Sequence, residues 1–348
     1  MSSHRRLLQS LACFVLLGLV AAACGGTSET ASADAEVPPS LASIEDNPMT
    51  EPEAAPDKIV VAARASIDAS PLWVADSQDY FLAKNLDVEF SPGPDEASLF
   101  DSLKDGRAHV AVVSVSSAVR RAMFDGDELE FITYLDGTQA ANGDERGTMS
   151  LIANSTSIAT GCDLEDKSVG VDSIYSLGAV SVRQMVDQDG CSPATVNFVL
   201  GDPSAHLESL DAGALDAVAT TDPYTSRSLR SGAVIVANLD NELCPEQVRC
   251  PITMVVAERA WAEANPEVVG RFQKALDAAM FWIRRDELSY RAELVSCCAL
   301  TADDASEILV PDFVGERRLL EADLPPLQAI LLSQGQALAH DLEEELTR

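Results

Sequence analysis

Residues 207–223 read Leu207-Glu208-Ser209-Leu210-Asp211-Ala212-Gly213-Ala214-Leu215-Asp216-Ala217-Val218-Ala219-Thr220-Thr221-Asp222-Pro223. Leu207 and Leu210 are spaced for one helical face, and Gly213 stands where a left-handed cap would end the helix. Ala217 to Ala219 are small and apolar, as a strand packed between helices can be. Thr221, Asp222 and Pro223 then leave the strand's carboxyl end, where open α/β sheets bind ligands. The run Phe100 to Val113, FDSLKDGRAHVAVV, falls on the same pattern without a gap at an offset of 107 residues. Phe100 matches Leu207, Leu103 matches Leu210, Gly106 matches Gly213 and His109 matches Asp216. The earlier copy ends in Ser114, Ser116 and Ser117, the later in Thr220, Thr221 and Asp222. Two such units predict two similar α/β lobes whose polar strand ends face each other.

Outward from the earlier copy, folded sequence is expected from Lys58. Ile59 to Ala63 reads as a first strand, and Pro71 as a helix start with Ser70 as its cap. Leu86 to Phe90 alternates like a second strand, so the opening is β-α-β-α-β, the pattern of a parallel sheet. Phe131 to Leu135 is another strand, Asp136 to Thr148 is polar and irregular, and Met149 to Ala153 is again apolar. A second β-α-β-α-β run is expected as strand 168–171, helix 176–187, strand 195–199, helix 204–212 and strand 215–219. Val234 to Ala237 and Ile252 to Ala257 are candidates for its last strand and the return crossing. Asn265-Pro266-Glu267 opens a helix with an apolar face at Val269, Phe272, Ala275, Leu276, Ala279 and Met280. Helices over 302–309, 316–322 and 325–345 would cap the first lobe. The expected organisation is therefore 58–148 with 250–348 as a discontinuous first lobe, and 149–249 as the second.

Ahead of these lobes, residues 1–24 have a basic start at Arg5 and Arg6, an apolar run from Leu7, and a small-residue end at Ala21-Ala22-Ala23-Cys24. That is a secretory signal, too short for a membrane span. Cys24 directly after the small residues has the form of a bacterial lipobox, in which the thiol is lipidated and leads the mature chain. Residues 25–57 are rich in Ser, Thr, Ala, Pro and Glu and cannot bury enough surface to offset their ordering entropy. As a disordered acidic tether they would reach roughly 30 Å from a lipid surface.

The net charge is −32, from 24 basic and 56 acidic residues, which argues against a nucleic-acid partner. An acidic, solubilising surface accounts for it. Beyond Cys13 and Cys24 the chain keeps Cys162, Cys191, Cys244, Cys250, Cys297 and Cys298. Outside the cytoplasm these point to disulfides. Cys162 and Cys191 precede neighbouring parallel strands and are expected to pair; Cys244 and Cys250 flank a short loop and should close it. Cys297 and Cys298 are either a vicinal bridge or two thiols. A zinc site is a weak rival, since no C-x-x-C pair occurs and His109, His206 and His340 are scattered. No metal or other cofactor is called for.

The order of lipobox, acidic tether, YFLAKNLDVEF, LFDSLKDGRAHVAVV, CDLEDKSVGV, HLESLDAGALDAVATTDPY and ANPEVVGRFQKAL resembles the periplasmic substrate-binding proteins of ABC importers. The similar branch is that for nitrate, aliphatic sulfonates, taurine and thiamine-pyrimidine precursors, over about residues 58–290. Two glycines usual in that family are Asp79 and Asn85 here. The resemblance implies a type 2 clamshell: two lobes, a two-strand hinge and closure on a ligand in the cleft. It also implies a small-molecule solute, permease and ATPase subunits as partners, a monomer, and an extracytoplasmic, lipid-anchored location at the cell membrane.

Ligand contacts are expected at the strand-end turns: Arg64, Ser66, Asp68, Ser114, Ser116 and Ser117 in the first lobe, and Asp172, Ser173, Tyr175, Ser176, Asp222 and Tyr224 in the second. Ser173 and Ser176 precede a helix whose free amides suit an anion, and Arg64 suits a sulfonate or carboxylate. Asp172 or Asp222 would suit an amine, and Tyr175 and Tyr224 could stack on a ring. Each has a plain alternative: Arg64 in a surface ion pair, the serines as helix caps, Asp222 as a turn former. Enzymes of thiamine-pyrimidine synthesis share the implied fold, but no nucleophile–base constellation stands out, so no catalytic role is expected. The alternatives are such an enzyme on the same fold, or a ligand-sensing lipoprotein without transport.

Overall fold

The computed structural model describes residues 55–93, 95–138, 146–243 and 250–313. The signal segment with Cys24, most of the tether, Cys244, and the helices expected over 316–322 and 325–345 lie outside the described residues.

The chain first forms β1 (Asp57–Ala62), α1 (Ser70–Ser77), β2 (Leu86–Ser91), α2 (Glu96–Lys104), β3 (Val110–Ser114), α3 (Val115–Arg120) and β4 (Leu129–Gly137). It continues through β5 (Met149–Ala153), β6 (Ser168–Val171), α4 (Leu177–Gln188), β7 (Asn197–Leu200), α5 (Pro203–Asp211), β8 (Ala217–Thr221), α6 (Tyr224–Arg230), β9 (Val234–Asn238) and α7 (Asp240–Leu243). It returns as β10 (Pro251–Glu258), α8 (Arg259–Ala264), α9 (Pro266–Arg285), α10 (Glu287–Cys297), α11 (Ala302–Glu307) and β11 (Asp312–Phe313).

Two sheets result. The first lobe's sheet has strand order β11-β4-β10-β3-β1-β2, the second's β7-β6-β8-β5-β9. In each, the parallel strands are interrupted by an antiparallel strand, β10 or β5, which is the first strand after the chain crosses from the other lobe; at the edge of the first sheet β11 is also antiparallel to β4. The two crossings run side by side: the Thr138 amide donates to the Cys250 carbonyl at 2.8 Å, and the Cys250 amide to Thr138 Oγ1 at 2.9 Å. Beside them the buried Asp240 carboxylate accepts the amides of Thr148 and Met149 at 2.8 and 3.0 Å, fixing the entry to β5.

The sequence repeat is a structural repeat. Gly106 and Gly213 have φ of 68° and 72°, the left-handed region where a side chain would be strained. Their amides close the helix ends on the carbonyls of Leu103 and Leu210, both at 2.9 Å. Asp79 and Asn85, in place of the family's glycines, also stand at φ of 56° and 55°. Asp and Asn are the side chains that best tolerate this region, so the turns survive without glycine.

Packing follows the expected faces. Phe272, Ala275, Leu276, Ala279, Met280 and Ile283 of α9 are buried against the outer face of the first sheet with α1 and α10. Each large side chain there contributes about 1.5–3 kcal/mol. A second core runs from α2 and α3 through Met149 and Leu151 to α4, so apolar contact is continuous between the sheets. Ser70 does not cap α1. The cap position is Ala69, and the fully buried Ser70 hydroxyl instead meets the Tyr290 hydroxyl of α10 at 2.8 Å. The expected Cys162–Cys191 disulfide is present, and Cys297 and Cys298 form a vicinal bridge. Cys250 is disulfide-bonded, and its expected partner Cys244 is outside the described residues.

Candidate ligand-binding cleft

The carboxyl ends of β1, β3, β6 and β8 open onto one cleft of about 690 Å³. Ser114 and Asp222, the ends of the two repeat units, both line it. So do Arg64, Ser66, Asp68, Ser117, Asp172, Ser173, Tyr175, Ser176 and Tyr224. Ser116 does not. It is 1% exposed, inside the first turn of α3 and turned into the protein.

The serines are occupied. Glu96, at the start of α2, accepts the Ser114 amide at 2.6 Å, the Ser114 hydroxyl at 3.1 Å and the Ser117 hydroxyl at 2.6 Å. Its carboxylate therefore fills the amino end of α3, where helix amides would otherwise meet an anion. Ser66 Oγ accepts the Ala69 amide, and Ser176 Oγ caps α4 by accepting the Ala179 amide, both at 3.3 Å. Ser173 Oγ takes the Tyr175 amide at 3.2 Å.

Asp222 is also committed within the protein. One oxygen accepts the Ser226 amide at 3.0 Å and hydroxyl at 2.7 Å, at the start of α6. The other accepts the Leu309 amide at 2.6 Å and pairs with Arg146. It thus ties the second lobe to the segment after α11. That tie is reinforced where Arg227 and Arg230 of α6 reach Asp304 at 2.8 and 2.5 Å, and Arg230 reaches Glu307 at 2.6 Å. The Arg227 hydrogen bonds, then those of Arg230, hold the Asp304 carboxyl far below its ordinary range.

Asp68 and Asp172 differ. Burial pushes each up from 3.8 to about 6. Asp172 is open to the cleft, but protein surrounds it on most sides. Behind Asp68 stands the fully buried Asp136, whose pKa burial and the Asp68 charge raise well above the carboxylate range. Its Oδ1 accepts the Thr253 amide at 3.0 Å. Arg64 makes no ion pair among the described residues. Arg120 of α3 lies over the Tyr175 ring of the second lobe at 4.5 Å, so this contact bridges the cleft. Burial raises Tyr224, whose ring has Arg227 at 5.6 Å. Cys298, Ala299 and Leu300 form a further wall, with Cys298 Sγ 3.4 Å from the Ser66 carbonyl.

Sequence reading missed Glu96, Arg120, Asp136, Arg146 and the 298–300 wall. Glu96 had a signal, since Asp95 and Ser98 form a capping box that puts it in a first helical turn. Asp136 was assigned to an irregular stretch, but β4 runs on to Gly137. Arg146 and the wall come near through folding alone.

The sequence model of the NMT1-like family matches residues 53–299. No curated protein matches the chain by sequence. Among solved structures, the periplasmic aliphatic sulphonate binding protein SsuA from Escherichia coli aligns at a TM-score of 0.67 and 15% identity, covering 84% of this chain and 97% of that one. A Candida albicans protein described as having the generic periplasmic binding protein fold aligns at 0.63 and 17%, over 82% and 92%. The desulfurization enzyme DSZB aligns at 0.59 and 13%, over 82% and 94%. At such identities the likeness is one of fold: a two-lobed, type 2 periplasmic-binding-protein architecture.

Proposed function

This chain belongs to the NMT1-like family, and from that premise we propose that it is an extracytoplasmic solute-binding lipoprotein which hands a small organic solute to an ABC import permease. The observation that carries this reading is the single cleft to which strand-end turns of both lobes contribute. A solute touching both lobes favours the closed form, which a permease can recognise. The solute is of sulfonate or taurine type, or a thiamine-pyrimidine-like ring. Cys24 carries the lipid, and the acidic tether lets the lobes stand off the membrane. Ser66 and Ser176 Oγ accept helix amides, as a binding cleft allows, whereas Ser114 and Ser117 donate to the Glu96 carboxylate. DSZB is named an enzyme on the same fold, so turnover must be measured as well as binding.

The test is a thermal-shift screen with taurine, alkanesulfonates, nitrate, thiamine precursors and riboflavin, each also assayed for product. A true ligand at about a hundred times its Kd should stabilise by about 2.7 kcal/mol. The expected outcome is one organic hit and no product. Product formation without any shift in melting temperature would overturn the reading.

A further inference from the structure

We propose that the solute carries a positively charged nitrogen, which docks between Asp68 of the first lobe and Asp172 of the second. This rests on the cleft being a solute site and names the chemistry it selects. Five carboxylates line the cleft close to the amino ends of helices: Asp68 at α1, Asp95 at α2, Glu96 at α3, Asp172 at α4 and Asp222 at α6. Three are satisfied by the protein, Asp95 by the Ser98 amide, Glu96 by an amide and two hydroxyls, Asp222 by two amides, a hydroxyl and Arg146. Neither Asp68 nor Asp172 has an N–H or hydroxyl donor among the described residues. Asp136 is 0% exposed; its Oδ2 takes no N–H or hydroxyl donor among the described residues, and its carboxyl is hydrogen-bonded to that of Asp68.

Positive charge to balance Asp68 and Asp172 is scarce. Arg120, Arg121 and Arg227 are paired with Asp125, Asp127 and Asp304. Among the described cleft residues that leaves Arg64 as the guanidinium without an ion pair. A carboxyl that meets no N–H or hydroxyl and at most another carboxyl's proton is relieved by a proton of its own or by an arriving cation. An anion gains neither from α3 nor from α6, since both ends already hold a carboxylate, and it would face Asp68 and Asp172. The rings of Tyr175 and Tyr224 favour a cation, as Arg120 over Tyr175 shows.

Asp68 faces Arg64, Asp136, Asp172, Asp222 and Tyr290; Asp172 faces Asp68, Arg64, Glu96, Asp202 and Tyr224. In the free protein both aspartates hold protons up to about pH 6. A cation must displace those protons, so its affinity rises as pH rises through that value.

The experiment is calorimetric titration of the full chain at pH 5 and 7.5 with matched isosteres: benzylamine, benzyl alcohol and benzenesulfonate, then propylamine, propanol and propanesulfonate. The expected result is binding of an amine and of neither isostere, tighter at pH 7.5. Asp172→Asn should weaken it about tenfold to a hundredfold, with an unchanged circular dichroism spectrum. Asp68→Asn provides an independent second variant with the same expected loss. Sulfonate binding without amine binding overturns the charge assignment but leaves the solute-binding reading standing. Equal binding of amine and alcohol, or an amine affinity indifferent to pH and to both variants, also overturns it. Silence of both amines overturns it too; only turnover in the earlier screen counts against the solute-binding reading itself.

Discussion

The two lobes share one backbone device and build it from different side chains. In the first, the His109 amide donates to the Val60 carbonyl at 2.8 Å while His109 Nδ1 accepts the Val60 amide at 2.9 Å. In the second, the Asp216 amide donates to the Ser168 carbonyl at 3.0 Å while Asp216 Oδ2 accepts the Ser168 amide at 2.8 Å. The residue before the third strand thus clasps the first strand in both directions, once with an imidazole and once with a carboxylate. The helix after that strand differs similarly. Glu96 closes the end of α3 within the first lobe, whereas Asp222 closes α6 and also reaches Leu309 beyond α11. What repeats is backbone geometry; the side chains have been free to take on separate duties.

The largest test of that difference is Asp222→Ala. It frees the amides of Ser226 and Leu309 and strips the carboxylate from Arg146, so it should cost about 3 kcal/mol in urea unfolding. A loss below about 1 kcal/mol would mean the second lobe's tie is ornamental. Next comes a change of opposite sign. Asp136 of β4 registers with Thr253 of β10, and Asn238 of β9 with Ser150 of β5, so the second lobe has an amide where the first buries a carboxyl. Asp136→Asn makes the lobes alike and should stabilise the free protein by about 2 kcal/mol at pH 7.5. The sign follows from linkage. Asp136 and Asp68 are both raised, so the folded pair is most stable while protonated and loses stability as pH rises from the ordinary carboxylate value near 3.8 toward the raised ones, about 6 for Asp68 and well above the carboxylate range for Asp136. The gain should therefore shrink at pH 5; an equal gain at both values would refute a charge origin. Smaller again, Glu96→Gln should cost about 1 kcal/mol, because the remaining oxygen can still accept the Ser114 amide and the hydroxyls can turn to accept from the new NH2, but α3 loses a charge at its amino end. If it cost as much as Asp222→Ala, the two helix ends would be equivalent after all.

The order of strands and helices was legible because each element carries its own punctuation: Gly106 and Gly213 after helices, Pro203 and Pro266 at helix starts, apolar runs between. The strand-end turns were legible for the same reason, and eleven of the twelve residues expected there line the cleft. Their roles were not legible. A serine's hydroxyl is available only if nothing else in the fold takes it, and Glu96 reaches Ser114 from 18 residues away. Likewise Asp222 reads as a local turn former, and its bond to Leu309 spans 87 residues. Asp136 was lost because a polar residue ending an apolar run looks like the start of a loop, when its backbone still pairs with β10.

The smallest effect concerns the two clasps. His109 accepts through Nδ1 only while neutral, and burial lowers its pKa below 6.5. A depressed histidine contributes fully above the unfolded value and loses that contribution as pH falls from about 6.5 toward the folded value. Asp216 is depressed by the Ser168 amide, so its clasp holds until pH falls below the unfolded value near 3.8. Between pH 7.5 and 5.5, hydrogen exchange corrected for intrinsic rates should therefore lose protection in β1 and β3, by less than about tenfold. Protection in β6 and β8 should not change. His109→Asp would then transplant one lobe's chemistry into the other. It forfeits the stacking on Trp261, whose ring lies 5.2 Å away, so β1 should be less protected at every pH, by about 1 kcal/mol. Its protection should nonetheless become flat between pH 7.5 and 5.5. If the pH dependence survives in that variant, it arises elsewhere, and imidazole and carboxylate are not interchangeable halves of one device.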